Sequence, residues 1–318
     1  MFNNFGFVFT GGGAKGAWQL GVWKAFEERG YRAKAVSGTS VGALNACLYA
    51  QGDYEEALRA WKEIDRWRML RPDLFNIVMK GMKVSMARQT VGMLLKSSPI
   101  SPIAALLDLH GLSSKEDGAC SQDGLRELIE KHLNLNKRNF WLPLYVCVHD
   151  IENSCPKYFP IYPQDDWSPK ELANILLASS AIPVIYSSVT IRGKEYNDGG
   201  GGVMTFLFDY DSCEYDNAPK APLQKLSLDF IIIMELDYNK HYDTIQKTRQ
   251  GFFVAQIIPS KPLGDFVDGT MNFDKDFVEE LVDLGYKDGA KWLKENETQL
   301  GLEHFLDNSD ILPKIIFD

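Results

Sequence analysis

The stretch from Phe5 to Gly42 constrains the fold more tightly than any other part of the chain. An apolar, β-rich run, Phe5 to Thr10, breaks into Gly11-Gly12-Gly13-Ala14-Lys15-Gly16. A helix-forming run, Ala17 to Arg29, follows, with Gly30 placed to cap it, and Ala33 to Val36 reads as a second short strand. That strand leads into Ser37-Gly38-Thr39-Ser40-Val41-Gly42 and a second helix-forming run. The order strand, glycine loop, helix, strand, helix predicts a parallel sheet with helices packed on its faces.

The second glycine cluster has the form G-x-S-x-G through Gly38, Ser40 and Gly42. A serine between two glycines, after a strand and before a helix, can sit on a tight turn with its hydroxyl aimed into a cleft. Gly38 and Gly42 lack a Cβ, so the chain turns sharply and the new helix packs close to the strands. At the helix N-terminus, unpaired N–H groups and the positive dipole end favour the negative charge that develops in acyl transfer. The competing reading is a helix N-cap serine flanked by turn glycines.

The glycine loop also admits two readings. Gly11, Gly13 and Gly16 satisfy G-x-G-x-x-G, which in a dinucleotide-binding module requires an acidic residue at the end of the second strand. Ser37-Gly38 stands there instead, and a phosphate loop fails because Ala17 and Trp18 follow Gly16. Consecutive glycines also aim several N–H groups at one point, which suits an oxyanion hole built from Gly11, Gly12 and Gly13, with Lys15 adding positive charge nearby.

Further along, helices are expected over Val41 to Gln51 and Tyr54 to Ile64, with Leu44, Leu48, Leu58 and Trp61 facing inward. Between Arg66 and Lys96 seven basic residues stand against one acid, Asp73, and five of the nine methionines fall in the same segment. Phe75, Met79, Met82 and Met86 recur at helical spacing with Lys80 and Lys83 off that face, as in a basic amphipathic helix docking on an anionic membrane surface. The alternative is a cap helix packed on the core. Leu125 to Leu133 reads as a helix and Leu142 to Val148 as a strand. Four prolines between 151 and 170 point to extended structure there, and helix resumes over Leu172 to Ala178. Tyr196-Asn197-Asp198-Gly199-Gly200 follows a hairpin-like segment, and Asp198 is the carboxylate to pair with Ser40 as general base; the plainer reading is a surface Asp-Gly turn. Strands are expected over Leu228 to Leu236 and Val254 to Ile258. Two C-terminal helices, Phe273 to Leu284 and Ala290 to Lys294, are expected on either side of Gly285 and Gly289.

A net charge of -9 argues against nucleic-acid binding. Five scattered cysteines with no CxxC pair argue against a disulfide framework and a zinc site. No apolar run approaches the ~18 residues of a membrane span, and the N-terminus has no cleavable-signal pattern, so the reading expects a soluble cytoplasmic protein. None of the five histidines stands in a neighbourhood suited to a catalytic triad, and each reads as a surface or strand-end residue.

Taken together, the Gly11–Gly16 loop, Gly38-Thr39-Ser40-Val41-Gly42 and Asp198-Gly199-Gly200 resemble the patatin-like phospholipase family in order and separation. Ala178-Ser179-Ser180-Ala181-Ile182-Pro183 is similar to the family's segment before the aspartate. The resemblance implies a three-layer α/β/α sandwich with a mostly parallel central sheet, in one domain over 1–318. A helical cap-like segment is expected near 66–113 and a helical C-terminal extension near 270–318. It also implies a serine acyl hydrolase of phospholipase A or lipid esterase type, with Ser40 as nucleophile, Asp198 as base and the Gly11–Gly13 loop as oxyanion hole. The substrate is then a lipid or other acyl ester, with no metal and no cofactor. An acyltransferase with the same dyad and a nucleotide-binding module on the Gly11–Gly16 loop stay open. One departure is plain: the family's Asp-Asn-x-Pro element, here Asp216-Asn217-Ala218-Pro219, comes only after an insert, Gly201 to Tyr215.

Overall fold

The computed structural model describes residues 4–69, 71–72, 120–135, 140–183, 185–201, 214–240, 246–248 and 251–296. The basic methionine-rich segment beyond Met69, apart from Arg71 and Pro72, lies outside the described residues, as do most of the Gly201–Tyr215 insert and the chain after Asn296.

Among the described residues nine strands form the main sheet: β1 (Phe5–Phe9), β2 (Ala35–Thr39), β3 (Leu144–Asp150), β4 (Cys155–Ile161), β5 (Val189–Ile191), β6 (Lys194–Asp198), β7 (Phe230–Met234), β8 (Gln246–Lys247) and β9 (Phe253–Ile257). Their order is β8-β9-β7-β1-β2-β3-β6-β5, with β4 also paired to β3. Strands β9, β7, β1, β2 and β3 run parallel, and the pairings outside this group are antiparallel. Strands β1, β2, β3 and β7 are buried along their whole length, as a sheet covered on both faces requires. The expected sandwich with a mostly parallel sheet is therefore the observed architecture.

Six helices matter for the site: α1 (Ala17–Glu28), α2 (Val41–Gln51), α3 (Tyr54–Glu63), α4 (Asp123–His132), α5 (Pro169–Ser179) and α6 (Lys275–Asn296). Helix α5 begins earlier than expected because Ser168 and Glu171 form a capping box and Pro169 occupies the first helical turn, where its missing N–H is harmless. Among the described residues no helix is long and apolar enough to cross a membrane.

The C-terminus departs from expectation: Gly285 and Gly289 do not separate two helices but lie inside the single helix α6. The reason is tertiary. A Cβ at Gly21 would run into the Val282 carbonyl, and one at Gly285 into the Trp18 carbonyl, so α1 and α6 cross backbone to backbone. Trp18 Nε1 then donates to Asp288 Oδ2 at 2.8 Å, locking the crossing. Close packing of α1 outweighs the weak helix propensity of glycine.

Candidate active site

The sheet register explains how distant residues meet. Along one edge of β3, Thr39 of β2 pairs with Cys147 and Asp198 of β6 pairs with the next residue, Val148. Strand β2 is parallel to β3 and β6 is antiparallel, so the two approach head-on and each must leave the sheet where they meet. Ser40 begins one exit and Gly199 the other.

At its exit Ser40 adopts φ 56° and ψ −131°, a left-handed conformation that a residue with a Cβ rarely takes. Such a backbone is disfavoured by roughly 1–3 kcal/mol and persists only where its surroundings enforce it. Here they do. A Cβ at Gly42 would meet the Phe9 and Thr10 carbonyls, so the first turn of α2 presses directly on β1. The Ser40 N–H donates to Ser179 Oγ at 2.9 Å, and the Ser179 hydroxyl donates to the Cys147 carbonyl at 2.6 Å. Ser40 occupies the N-cap position of α2, yet its hydroxyl does not cap the helix. The N-cap reading therefore describes its place and not its side chain.

Asp198 is 1% exposed. Burial pushes its carboxyl up to about 7, opposed by the Gly200 N–H and the nearby Ser40 hydroxyl. Oδ1 accepts the Gly200 N–H at 2.7 Å. Oδ2 has no hydrogen-bond partner among the described residues. The Asp-Gly-Gly turn is thus buried, not a surface turn.

The glycine loop closes over Ser40: a Cβ on Gly11 would lie 3.1 Å from Ser40 Cβ and 2.5 Å from Asn217 Oδ1. Gly11 does not offer its amide to the cleft. Its N–H donates to Asn217 Oδ1 at 3.1 Å, and Asn217 Nδ2 donates back to the Gly11 carbonyl at 3.1 Å. Gly12 and Gly13, by contrast, donate their N–H groups to no loop or cap bond among the described residues. The Lys15 ammonium lies towards Asp237 and Asp265, with Cε against Gly269, and burial lowers its pKa.

The sequence named Asp216-Asn217-Ala218-Pro219 and Ser179 without assigning them work. The 216–219 segment laces three parts together. Asp216 N–H donates to the Gly199 carbonyl at 2.7 Å, Thr39 Oγ1 to the Asp216 carbonyl at 2.8 Å, and Ser37 Oγ to the Pro219 carbonyl at 2.6 Å. Tyr158 adds a 2.6 Å bond to Asp216 Oδ2. Asn45 had no expected role either. Its Nδ2 donates to the Gly16 carbonyl and to Gln19 Oε1, both at 2.9 Å, and its Oδ1 accepts from Trp61 Nε1 at 2.9 Å. This buried network ties α2 to the glycine loop. Its only sequence signal is an amide placed among apolar and small residues of a helix.

His132 departs from the expected surface or strand-end position, while His149 keeps a strand-end one, next to the last residue of β3, yet is buried. His132 is buried, with Nδ1 2.6 Å from Glu56 Oε1. His149 is buried on β3, 3.0 Å from Asn197 Oδ1, next to Asp198 in the chain. His110, His241 and His304 lie outside the described residues.

Several known proteins share parts of this chain. A stretch of 64 residues is 41% identical to Uncharacterized protein YqhO of Bacillus subtilis, covering 20% of this chain and 22% of that protein. Another of 46 residues is 52% identical to Lysophospholipase nte1 of Aspergillus terreus, covering 14% of this chain and 3% of that one. The matches thus span about a fifth or less of these relatives. Among solved structures, human GIVD cytosolic phospholipase A2 superposes with a TM-score of 0.46 at 11% identity, covering 95% of this chain and 59% of that one. VipD from Legionella pneumophila gives 0.42 at 15% identity, covering 92% and 67%. The Patatin-like phospholipase family model matches residues 7–208, a span holding the glycine loop, the serine turn and the aspartate turn. With most of its length inside that match, the chain belongs to the patatin-like phospholipase family.

Proposed function

We propose that this chain is a serine acyl hydrolase acting on lipid esters, of the phospholipase A or lipid esterase type, with Ser40 and Asp198 as its catalytic pair. The observation that carries the reading is the buried Asp198 carboxyl, raised to about 7 by burial and opposed by the Ser40 hydroxyl, with Oδ2 unpartnered among the described residues at the point where the Ser40 turn leaves the sheet. A base whose pKa lies near neutral combines a useful ionised fraction with strong proton affinity.

In this reading Asp198 accepts the Ser40 proton as the hydroxyl oxygen attacks the ester carbonyl carbon. The carbonyl oxygen becomes an oxyanion held by the N–H groups of Gly12 and Gly13, reinforced by the α2 N-terminus. Collapse of this intermediate breaks the carbon–alkoxy bond, and Asp198 returns the proton to the departing alcohol. Water then attacks the acyl-serine, giving its proton to Asp198, and release of the acid restores the hydroxyl. An acyltransferase would differ only in using a second alcohol in place of that water. The family membership and the named lysophospholipase among the relatives support lipid substrates.

The test is hydrolysis of a graded acyl-ester series by the wild type, Ser40→Ala and Asp198→Asn, with labelling by an organophosphonate mapped by mass spectrometry. Both variants are expected to lose turnover, and the label is expected on Ser40. Turnover retained by Ser40→Ala removes the nucleophile assignment.

A further inference from the structure

Two fully buried amide side chains hold the glycine loop at both of its ends. Gln19 of α1 uses Nε2 to donate to the Thr10 carbonyl at 3.0 Å, just before the loop, and to the Met234 carbonyl at 3.3 Å, at the end of β7. Asn45 of α2 uses Nδ2 to donate to the Gly16 carbonyl, where the loop ends, and to Gln19 Oε1, which joins the two amides. Trp61 of α3 completes the set, donating Nε1–H to Asn45 Oδ1.

The network has a single direction. An indole N–H can only donate, so Trp61 takes the Asn45 oxygen and turns the Asn45 NH2 group towards Gly16 and Gln19. Asn45 in turn takes the Gln19 oxygen and leaves the Gln19 NH2 group to the Thr10 and Met234 carbonyls. Each N–H of the three side chains then has an acceptor, and reversing either amide would set its oxygen against carbonyl oxygens. A buried network satisfied in this way specifies one arrangement of the chains it joins. The loop also packs on α2, since a Cβ on Gly16 would lie 2.8 Å from Val41 Cγ1. Packing sets a distance, whereas a hydrogen bond to each end carbonyl also sets the direction of the peptide plane.

We propose that Gln19 and Asn45 are positioning residues that hold the Gly12 and Gly13 amides in register with Ser40, and that Trp61 acts on the reaction through Asn45. The proposal rests on Ser40 as nucleophile and on the loop as oxyanion hole. Asn45 stands on the helix that Ser40 begins, so the network joins the attacking group to the donors that receive the oxyanion. Loosening it costs stabilisation of the charged intermediate, not binding of the ester.

The experiment uses the full chain, p-nitrophenyl butyrate as substrate and a trifluoromethyl ketone of matching chain length as inhibitor. Ser40 Oγ adds to the ketone carbon, its proton passes to Asp198, and the ketone oxygen becomes an oxyanion that has no leaving group to expel. End-point labelling with an organophosphonate counts folded sites, so kcat is expressed per site. Asn45→Leu keeps the size of the side chain and removes every bond of the amide. It is expected to lower kcat about a hundredfold with KM within about twofold, and to weaken the ketone by the same factor as kcat. Trp61→Phe removes only the N–H that orients Asn45, and a fall of about tenfold in kcat, with a matching loss of ketone affinity, is expected.

If Asn45→Leu does not fold, Trp61→Phe decides alone. With Ser40→Ala inactive, a kcat per site and a ketone affinity within about twofold of the wild type overturn the positioning role, even where the melting temperature falls. A raised KM at unchanged kcat overturns it as well. Turnover retained by Ser40→Ala instead overturns the catalytic reading, and this proposal with it.

Discussion

Asn217 and Gly11 exchange two hydrogen bonds, each 3.1 Å long, across 206 positions of sequence. The pair holds both peptide groups of Gly11 and so constrains the loop that leads into Gly12 and Gly13. Asn217→Ala removes the donor to the Gly11 carbonyl and leaves the Gly11 N–H only its longer, 3.4 Å bond to the residue-217 carbonyl, and a loss of about 1–3 kcal/mol of stability is expected in denaturant unfolding. Because it displaces the loop without touching the acyl chain, kcat is expected to fall on the order of a hundredfold with KM little changed. Asn217→Asp keeps the acceptor but not the donor and is expected to fall between the two.

The Asp198 carboxyl gives a pH profile with a defined sign. As a base it works only when ionised, so kcat/KM is expected to rise through a single ionisation near pH 7. Stability runs the other way. Between the ordinary value of 3.8 and about 7, the folded chain retains a proton that the unfolded chain has released. Stability therefore declines as pH rises through that window, by up to about 4 kcal/mol. Asp198→Asn has no such ionisation, so at pH 8 it is expected to be inactive yet to melt higher than the wild type.

Ser179 occupies the gap where β2 and β6 meet, bridging the Ser40 N–H and the Cys147 carbonyl. In Ser179→Ala both groups lose their partner in a buried setting, with an expected loss of about 2–3 kcal/mol in chemical denaturation. The strained Ser40 backbone then relaxes, and turnover is expected to fall with it.

Gly285 distinguishes helix propensity from packing by the sign of one measurement. If α6 merely tolerated this glycine, Gly285→Ala would stabilise the helix by about 1 kcal/mol. Because a Cβ there meets the Trp18 carbonyl, Gly285→Ala is instead expected to destabilise by about 1–3 kcal/mol in thermal unfolding.

The contrast at Gly285 marks where sequence reading stops. Period and composition located β1, α1, α2 and the serine turn because each is dictated by neighbours in the chain. They could not show that Gly285 faces Gly21 and Trp18, since that contact joins residues far apart in sequence. Strand β2 likewise extends to Thr39, beyond the expected Val36, because Ser37, Gly38 and Thr39 gain ladder partners on β1 and β3. The motifs around Ser40 and Asp198 were legible as residue patterns. The amide contacts of Asn217 and Asn45 were not, because an asparagine's partners are set by tertiary approach. Gly11 illustrates the finer limit: three consecutive glycines suggested three amides facing the cleft, and Asn217 takes the first.

The β1–β7 pairing sets how much polypeptide the chemistry requires. Strand β7 supplies the neighbour of β1 on the side away from β2, yet it begins at Phe230, beyond the span matched by the family model. A protein ended at residue 208 would leave β1 with a bare edge, and Gly11 would lose the amide that orients it. Transplanting the three motifs into another host therefore means carrying the downstream stretch through α6 with them.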